Sequence, residues 1–221
     1  MALDREIAKE AVAQLADKAT AFLEKLVGPP MEEIGQLLAD KVRFWRFRNQ
    51  VNILGKAEKY LAQMGLSPRP VPLKTLIPLL EESSWEEDNV LQDKWASLLA
   101  SAADPASREA PFASYVEILK QISPKEAGLL DAAFDSYSAT PYPEREAAMF
   151  SRDAVAEEVN IEPEQIDLLL DNLFRLNLIQ PPASHGGVSI GNYPIVLRTH
   201  ELFQLTTLGI DFVERCRYGK R

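Results

Sequence analysis

The sequence predicts a mainly α-helical chain that closes with a small mixed α/β element, and three features of its 221 residues predict it. Through the first 176 residues apolar side chains recur at three- and four-residue steps, the spacing that gives a helix one buried stripe. Prolines and glycines cut that pattern into helix-length pieces. After Leu176 the period shortens towards two and strands become the better description. The composition suits a packed fold: 46% of residues are hydrophobic, 26% charged and 8% aromatic, too apolar for a chain that stays disordered.

The first helix carries Ile7, Ala11, Val12, Leu15, Ala19, Phe22, Leu23 and Leu26 on one stripe, and Gly28-Pro29-Pro30 stops it. A longer one runs from Ile34 through Leu37, Leu38, Phe44, Phe47, Val51, Leu54 and Leu61 to a break near Gly65. Ser67-Pro68-Arg69-Pro70-Val71-Pro72 is an extended connector. Leu73–Glu82 and Trp85–Ala103 follow as helices; Ser84 with Glu87 has the spacing of a capping box for the second, which Asp104-Pro105 closes. Ser114 and Glu117 repeat that spacing before Val116, Ile118, Leu119 and Ile122. Ser123-Pro124-Lys125-Glu126 joins a capping serine, a proline at the first helical position and a glutamate at the third. Helices at 151–159 and 163–176 are joined by Asn160-Ile161-Glu162. Val188–Ile190, Tyr193–Leu197 and Leu202–Leu205 read as strands, and a last helix starts at Thr206.

Helix, helix–short turn–helix, hairpin, helix is the order of a winged helix-turn-helix, and Leu205-Thr206-Thr207-Leu208-Gly209 looks like its wing-to-helix joint. The expected fold is therefore mainly α, with a helical domain over 1–122 and a winged-helix-like domain over 123–221 carrying a short β-hairpin wing.

Charge narrows the function. The net charge is −9, which opposes broad binding to nucleic acid or anionic membrane. Residues 1–70 hold the only basic surplus, +2, against −5 over 71–122 and −6 over 123–221. A single cysteine excludes a disulfide framework and a Cys-rich zinc site. The first ten residues are charged from Asp4 onward, so no secretory segment is expected there. The longest uncharged stretch, Leu176–Leu197, is broken by five prolines and glycines between Pro181 and Gly191 and by Pro194, so it is no membrane span. The expectation is a cytosolic protein.

The most distinctive run is Lys41-Val42-Arg43-Phe44-Trp45-Arg46-Phe47-Arg48-Asn49-Gln50. Arginine forks bind phosphate or carboxylate, and aromatic faces stack on bases or cations. Lys41, Arg43, Trp45, Arg46, Arg48, Asn49 and Gln50 are therefore the candidate anion- or partner-binding strip. The alternative is that the aromatics pack inside while the arginines pair with acidic neighbours. Glu81, Glu82, Glu86, Glu87, Asp88 and Asp93 read as first-turn and flanking carboxylates rather than a metal site. His185, His200 and Cys216 lack the spacing or the partner for metal or nucleophile chemistry. No phosphate-binding loop or nucleophile elbow is present, so no catalytic residue, metal or cofactor is expected. In the helix a winged fold would offer to DNA, Glu162, Glu164, Asp167 and Asp171 face Arg175 alone, a poor match to phosphate.

Four strings, Gly28-Pro29-Pro30-Met31-Glu32-Glu33-Ile34-Gly35, Asp40–Gln50, Leu91-Gln92-Asp93-Lys94-Trp95-Ala96 and Asp104-Pro105, resemble the bacterial abortive infection alpha (Abi-alpha) family over roughly residues 20–217. The resemblance implies a role in phage defence, in which an infected cell stops growing or dies before phage is released; it implies no reaction, cofactor or site residue. The expected function is a non-enzymatic interaction protein with a protein partner, a second copy of the chain among the candidates. A winged-helix transcription regulator and a metal-dependent nuclease built from scattered carboxylates are the alternatives, and nucleic acid is disfavoured by the acidic charge.

Overall fold

The computed structural model describes residues 18–19, 21–23, 25–26, 44–107, 110–182, 188–190, 193–195 and 201–219. They are mainly helical, with a small three-stranded sheet. The chain divides into two compact units, residues 1–121 together with 215–221, and residues 122–214.

The first unit holds α1 (Phe44–Gln63), α2 (Leu73–Ser83), α3 (Asn89–Ala103) and α4 (Phe112–Leu119). At its centre is α3, buried almost all round: Leu91, Trp95, Leu98 and Leu99 fill space, while Ala96, Ser97, Ala100 and Ser101 are small enough to let neighbouring helices approach. From Trp95 to Ala103 it carries only apolar or small uncharged side chains, so it has no charged face to turn to water. Against it α1 lays Ile53, Leu54, Ala57 and Leu61, and Ala19, Phe22 and Leu26 from the preceding segment are buried too. Gly65 ends α1 in a left-handed conformation (φ +69°). Its neighbour Leu66 donates its N–H to the Leu61 carbonyl (3.0 Å), the reach-back that satisfies an otherwise orphaned helix end. The 67–72 connector is tethered at both sides, Arg69 N to Ala103 O (2.7 Å) and Val71 N to Leu26 O (2.8 Å).

Two helix starts differ from expectation. Asp88, not Ser84, caps α3: its carboxylate accepts from Val90 N (2.8 Å) and Leu91 N (3.1 Å), so the helix begins at Asn89. Ser84 instead closes α2, which runs to Ser83 despite Pro78 inside it. Likewise α4 starts at Phe112 behind Pro111, leaving Ser114 inside the first turn rather than at the cap. In both cases the serine lies within or against helical backbone; at α3 Asp88 reaches the open N–H donors instead, whereas α4 has no side-chain cap.

Residues from 215 onward contribute polar bonds to the first unit. Tyr218 OH donates to Asp104 Oδ2 (2.6 Å), Ser97 Oγ donates to Tyr218 O (3.1 Å), and Arg215 Nη1 donates to Ser107 Oγ (2.7 Å).

The second unit opens with α5 (Pro124–Ala139), capped as the sequence predicts: Ser123 Oγ accepts Glu126 N, and Glu126 Oε2 accepts Ser123 N (2.6 Å). The same buried carboxylate accepts Asn172 Nδ2 through Oε1 (2.6 Å). A 3-10 turn (Glu144–Ala147) leads to β1 (Phe150–Ser151), α6 (Arg152–Val159) and α7 (Pro163–Arg175). Then come β2 (Ile179–Gln180), β3 (Val188–Ile190), β4 (Tyr193–Ile195), β5 (Leu202–Leu205) and α8 (Thr207–Cys216). β1, β5 and β2 form one antiparallel sheet in that order, and β3 pairs with β4. Phe150 stands opposite Phe203, their ring centroids 5.7 Å apart, and Ile179 opposite Leu205; with Val155, Ile166, Leu170, Leu173 and Leu178 they make the core. Residues 196–197 of the expected Tyr193–Leu197 strand lie outside the described residues.

Candidate functional site

Of the strip proposed from the sequence, Lys41, Arg43 and the side chain of Trp45 lie outside the described residues. The rest divides by helical geometry. Arg46, Asn49 and Gln50, at steps of three and four, share a face of α1, and that face meets the end of α2. Gln50 Nε2 donates to Leu80 O (3.0 Å), Asn49 Nδ2 to Ser84 O (3.2 Å), and Arg46 Nε to Ser84 Oγ (2.9 Å). Ser84 Oγ in turn donates to Glu81 O (2.6 Å). The last carbonyls of a helix lack partners within it, and here α1 supplies them. Asn49 and Gln50 are therefore interior residues, 4% and 9% exposed. Arg48, two positions from both Arg46 and Gln50, is exposed.

Beyond Ser84 the chain turns outward, and Trp85 is 55% exposed. The Arg46 guanidinium carbon lies 3.9 Å above its ring centroid, well inside the range at which a cation is held by an aromatic face. By sequence Arg46 belongs to the strip, Ser84 has the spacing of a cap, and Trp85 stands at the start of the next helix with no assigned contact. The signal available was a tryptophan directly after a helix-ending serine pair, an odd place for a large apolar residue unless something covers part of it.

Farther along α1, Lys56 Nζ pairs with Asp93 Oδ1 (2.8 Å). Burial raises the Tyr60 phenol above its ordinary value, and the charge of Asp93 and the hydrogen bond to it add to the rise. The acidic residues serve separate helix ends and pairs: Glu86 Oε1 accepts Asp88 N (2.9 Å), Glu82 pairs with Lys120 (3.3 Å), and Asp88 caps α3. Among the described residues no three His, Cys, Asp or Glu side chains are grouped to hold a metal ion. Cys216 is buried in α8, and both histidines lie outside the described residues.

In the second unit, α7 buries Ile166, Leu170 and Leu173 and leaves Glu164, Gln165, Asp167 and Leu168 outside, Leu168 at 74% exposure. Arg175 turns back along the helix, donating through Nε (3.0 Å) and Nη2 (2.7 Å) to Asn172 Oδ1. Among the described residues no helix is long and apolar enough to cross a membrane.

No curated protein matches the chain, and neither does any solved structure. A sequence model of one family, abortive infection alpha, matches residues 48–216. That span begins on the exposed Arg48, takes in the Asn49 and Gln50 contacts to α2, and runs through both units to the end of α8. On a match of that extent, the chain belongs to the abortive infection alpha family.

Proposed function

We propose that this chain is a non-enzymatic interaction protein of bacterial phage defence, and that it meets its partner through the surface around Arg46 and Trp85, with Arg48 adding an exposed cation from another side of α1. One observation carries the reading: a half-exposed indole with a guanidinium stacked on it, the guanidinium itself fixed by Ser84. Tryptophan and arginine dominate the energetic centres of protein interfaces. A cation already held in place loses little further freedom on binding. Asn49 and Gln50 act behind this surface, by joining α1 to α2. Lys41, Arg43 and Trp45 extend it along the sequence, in the only region with a basic surplus, which suits an acidic protein partner. Combining Arg43→Glu, Arg48→Glu and Trp85→Ala is expected to abolish protection in a phage plating assay, with the circular dichroism spectrum and unfolding midpoint unchanged. A folded triple variant that still protects overturns the reading.

For residues 123–221 we infer a winged-helix arrangement. The sheet order β1-β5-β2, the close succession of α6 and α7, and a hairpin between β2 and β5 support it. Its exposed helix face pairs carboxylates with Leu168, which suits a protein surface and repels phosphate. Titrated with duplex DNA at low salt, the full chain is expected to show no binding. A complex whose affinity falls steeply with salt would favour the transcription-regulator alternative.

A further inference from the structure

In the second unit a cleft of about 280 Å³ lies between the outer face of the sheet, the first turn of α8 and the 3-10 segment after α5. The size is just under the roughly 300–1,000 Å³ of pockets for drug-sized ligands, so its occupant is small. Six side chains bring chemistry to it: Tyr137, Arg145, Glu146, Gln180, Gln204 and Thr207.

Sheet register explains the floor. Gln180 stands directly opposite Gln204, while the alternating residues Ile179 and Phe203 enter the core. Both amides thus leave the sheet on one side, each offering a donor pair and an acceptor. Gln180, Gln204, Glu146 and Thr207 make no side-chain hydrogen bond or ion pair with the other described residues. Arg145, by contrast, is pinned: Nε donates to Thr140 O (2.8 Å), Nη2 to Ser138 O (2.8 Å), and its guanidinium carbon lies 5.5 Å from the Tyr137 ring centroid. Those two bonds employ two of its five N–H groups and hold the plane of the fork, leaving both Nη1 donors and the second Nη2 donor.

We propose that this cleft is a receptor site for a small zwitterion, a free amino acid or a dipeptide. It holds one cation and one anion from adjacent positions, Arg145 and Glu146. A lone anion such as phosphate would meet Glu146, and a lone cation would meet Arg145; a ligand bearing one charge of each sign satisfies both. The carboxylate end also gains from the first turn of α8 at Thr207, where the helix dipole favours negative charge. The paired glutamines then read the ligand's amide or other hydrogen-bonding groups. This site is independent of the surface around Trp85.

The test is isothermal titration of the full chain with each protein amino acid and with glycylglycine; acetate, methylammonium and inorganic phosphate are the single-charge controls. At least one zwitterion is expected to bind saturably with Kd of about 1 mM or tighter, and the controls at least about tenfold more weakly. Gln180→Ala with Gln204→Ala is expected to weaken that binding about tenfold or more, since hydrogen bonds to the ligand are lost. The unfolding midpoint should stay in place, because neither amide is bonded to the other described residues. No saturation by any zwitterion overturns the proposal, as does equal binding of acetate or phosphate, or a double variant that binds as the parent does.

Discussion

Replacing Gly209 by alanine is expected to cost the second unit about 3–5 kcal/mol, from overpacking plus the loss of a buried hydrogen bond. A Cβ built at this position points into the backbone of Leu178: it lies 2.9 Å from the carbonyl carbon and 3.2 Å from Cα, and nearer still to the oxygen. Leu178 has no freedom to retreat. Its carbonyl accepts Thr206 N (3.0 Å), its own N–H donates to Leu173 O (3.1 Å), and the next residue is locked to Leu205 in the sheet. Either α8 lifts from β2 or the Leu178–Thr206 bond breaks. Measured by urea unfolding, the midpoint should fall with little change in slope. Gly55→Ala is the matched control: nothing lies within 4 Å of its Cβ, it is exposed in the interior of α1, and alanine there should stabilise by about 0.5–1 kcal/mol. A Gly209→Ala loss under about 1 kcal/mol would contradict the close approach of α8 to Leu178.

In the first unit, Trp95→Ala is expected to remove about 3–5 kcal/mol, the range for deleting a large aromatic from a core. Trp95 is 1% exposed and sits mid-way along α3, whose neighbours on the helix are themselves buried. The helix cannot slide to refill the space, because Asp88 fixes its start and the Arg69 N–H holds Ala103 O at its end. The cavity therefore persists and its full cost is felt. Against total stabilities of about 5–15 kcal/mol such a loss is a large fraction. Thermal unfolding should show the first unit melting early while the second, free of this residue, keeps its transition. Trp95→Phe should recover a good part of the difference. Equal midpoints for Trp95→Ala and the parent would mean the indole is not the filler described.

The helices were readable because their information is local. The Ser123–Glu126 box works within four residues, and the apolar stripes of α1 and α3 need only a count of threes and fours. The two-residue strands β1 and β2 were not readable, since two residues carry no period; they exist because Phe150 and Ile179 find partners on β5, far along the chain. The strand segments of residues 188–190, 193–195 and 202–205 did show in the sequence, where turn residues flank alternating side chains. Capping was misjudged at Ser84 for a related reason. Ser84 and Asp88 are both good caps by type, and only the packing of α1 onto α2, which engages Ser84 with Arg46, leaves Asp88 the cap of α3.

The candidate strip shows the same limit. Spacing alone groups Arg46, Asn49 and Gln50 on one face, but it does not say whether that face meets water or another helix. Two amides and a guanidinium are equally suited to a ligand and to the carbonyls of α2. The structure gives the two amides carbonyls at the end of α2 and gives the guanidinium the Ser84 hydroxyl, and the exposed chemistry passes to Arg48 and to Trp85, a residue from another helix end. The cleft under Gln180 and Gln204 was invisible for the same reason, being assembled from five elements that the sequence scatters.

The polar bonds from Ser97 and Asp104 to Tyr218, and from Ser107 to Arg215, bear on how the protein is made. During synthesis the ribosome delivers residues 1–121 first, yet those bonds wait for the translation of roughly a hundred more. Until then Ser97, Asp104 and Ser107 lack those partners, and the nascent first unit is held by its helix packing and by bonds such as those from α1 to the end of α2. A stalled or truncated product would stay in that state, exposed to proteases and to premature association.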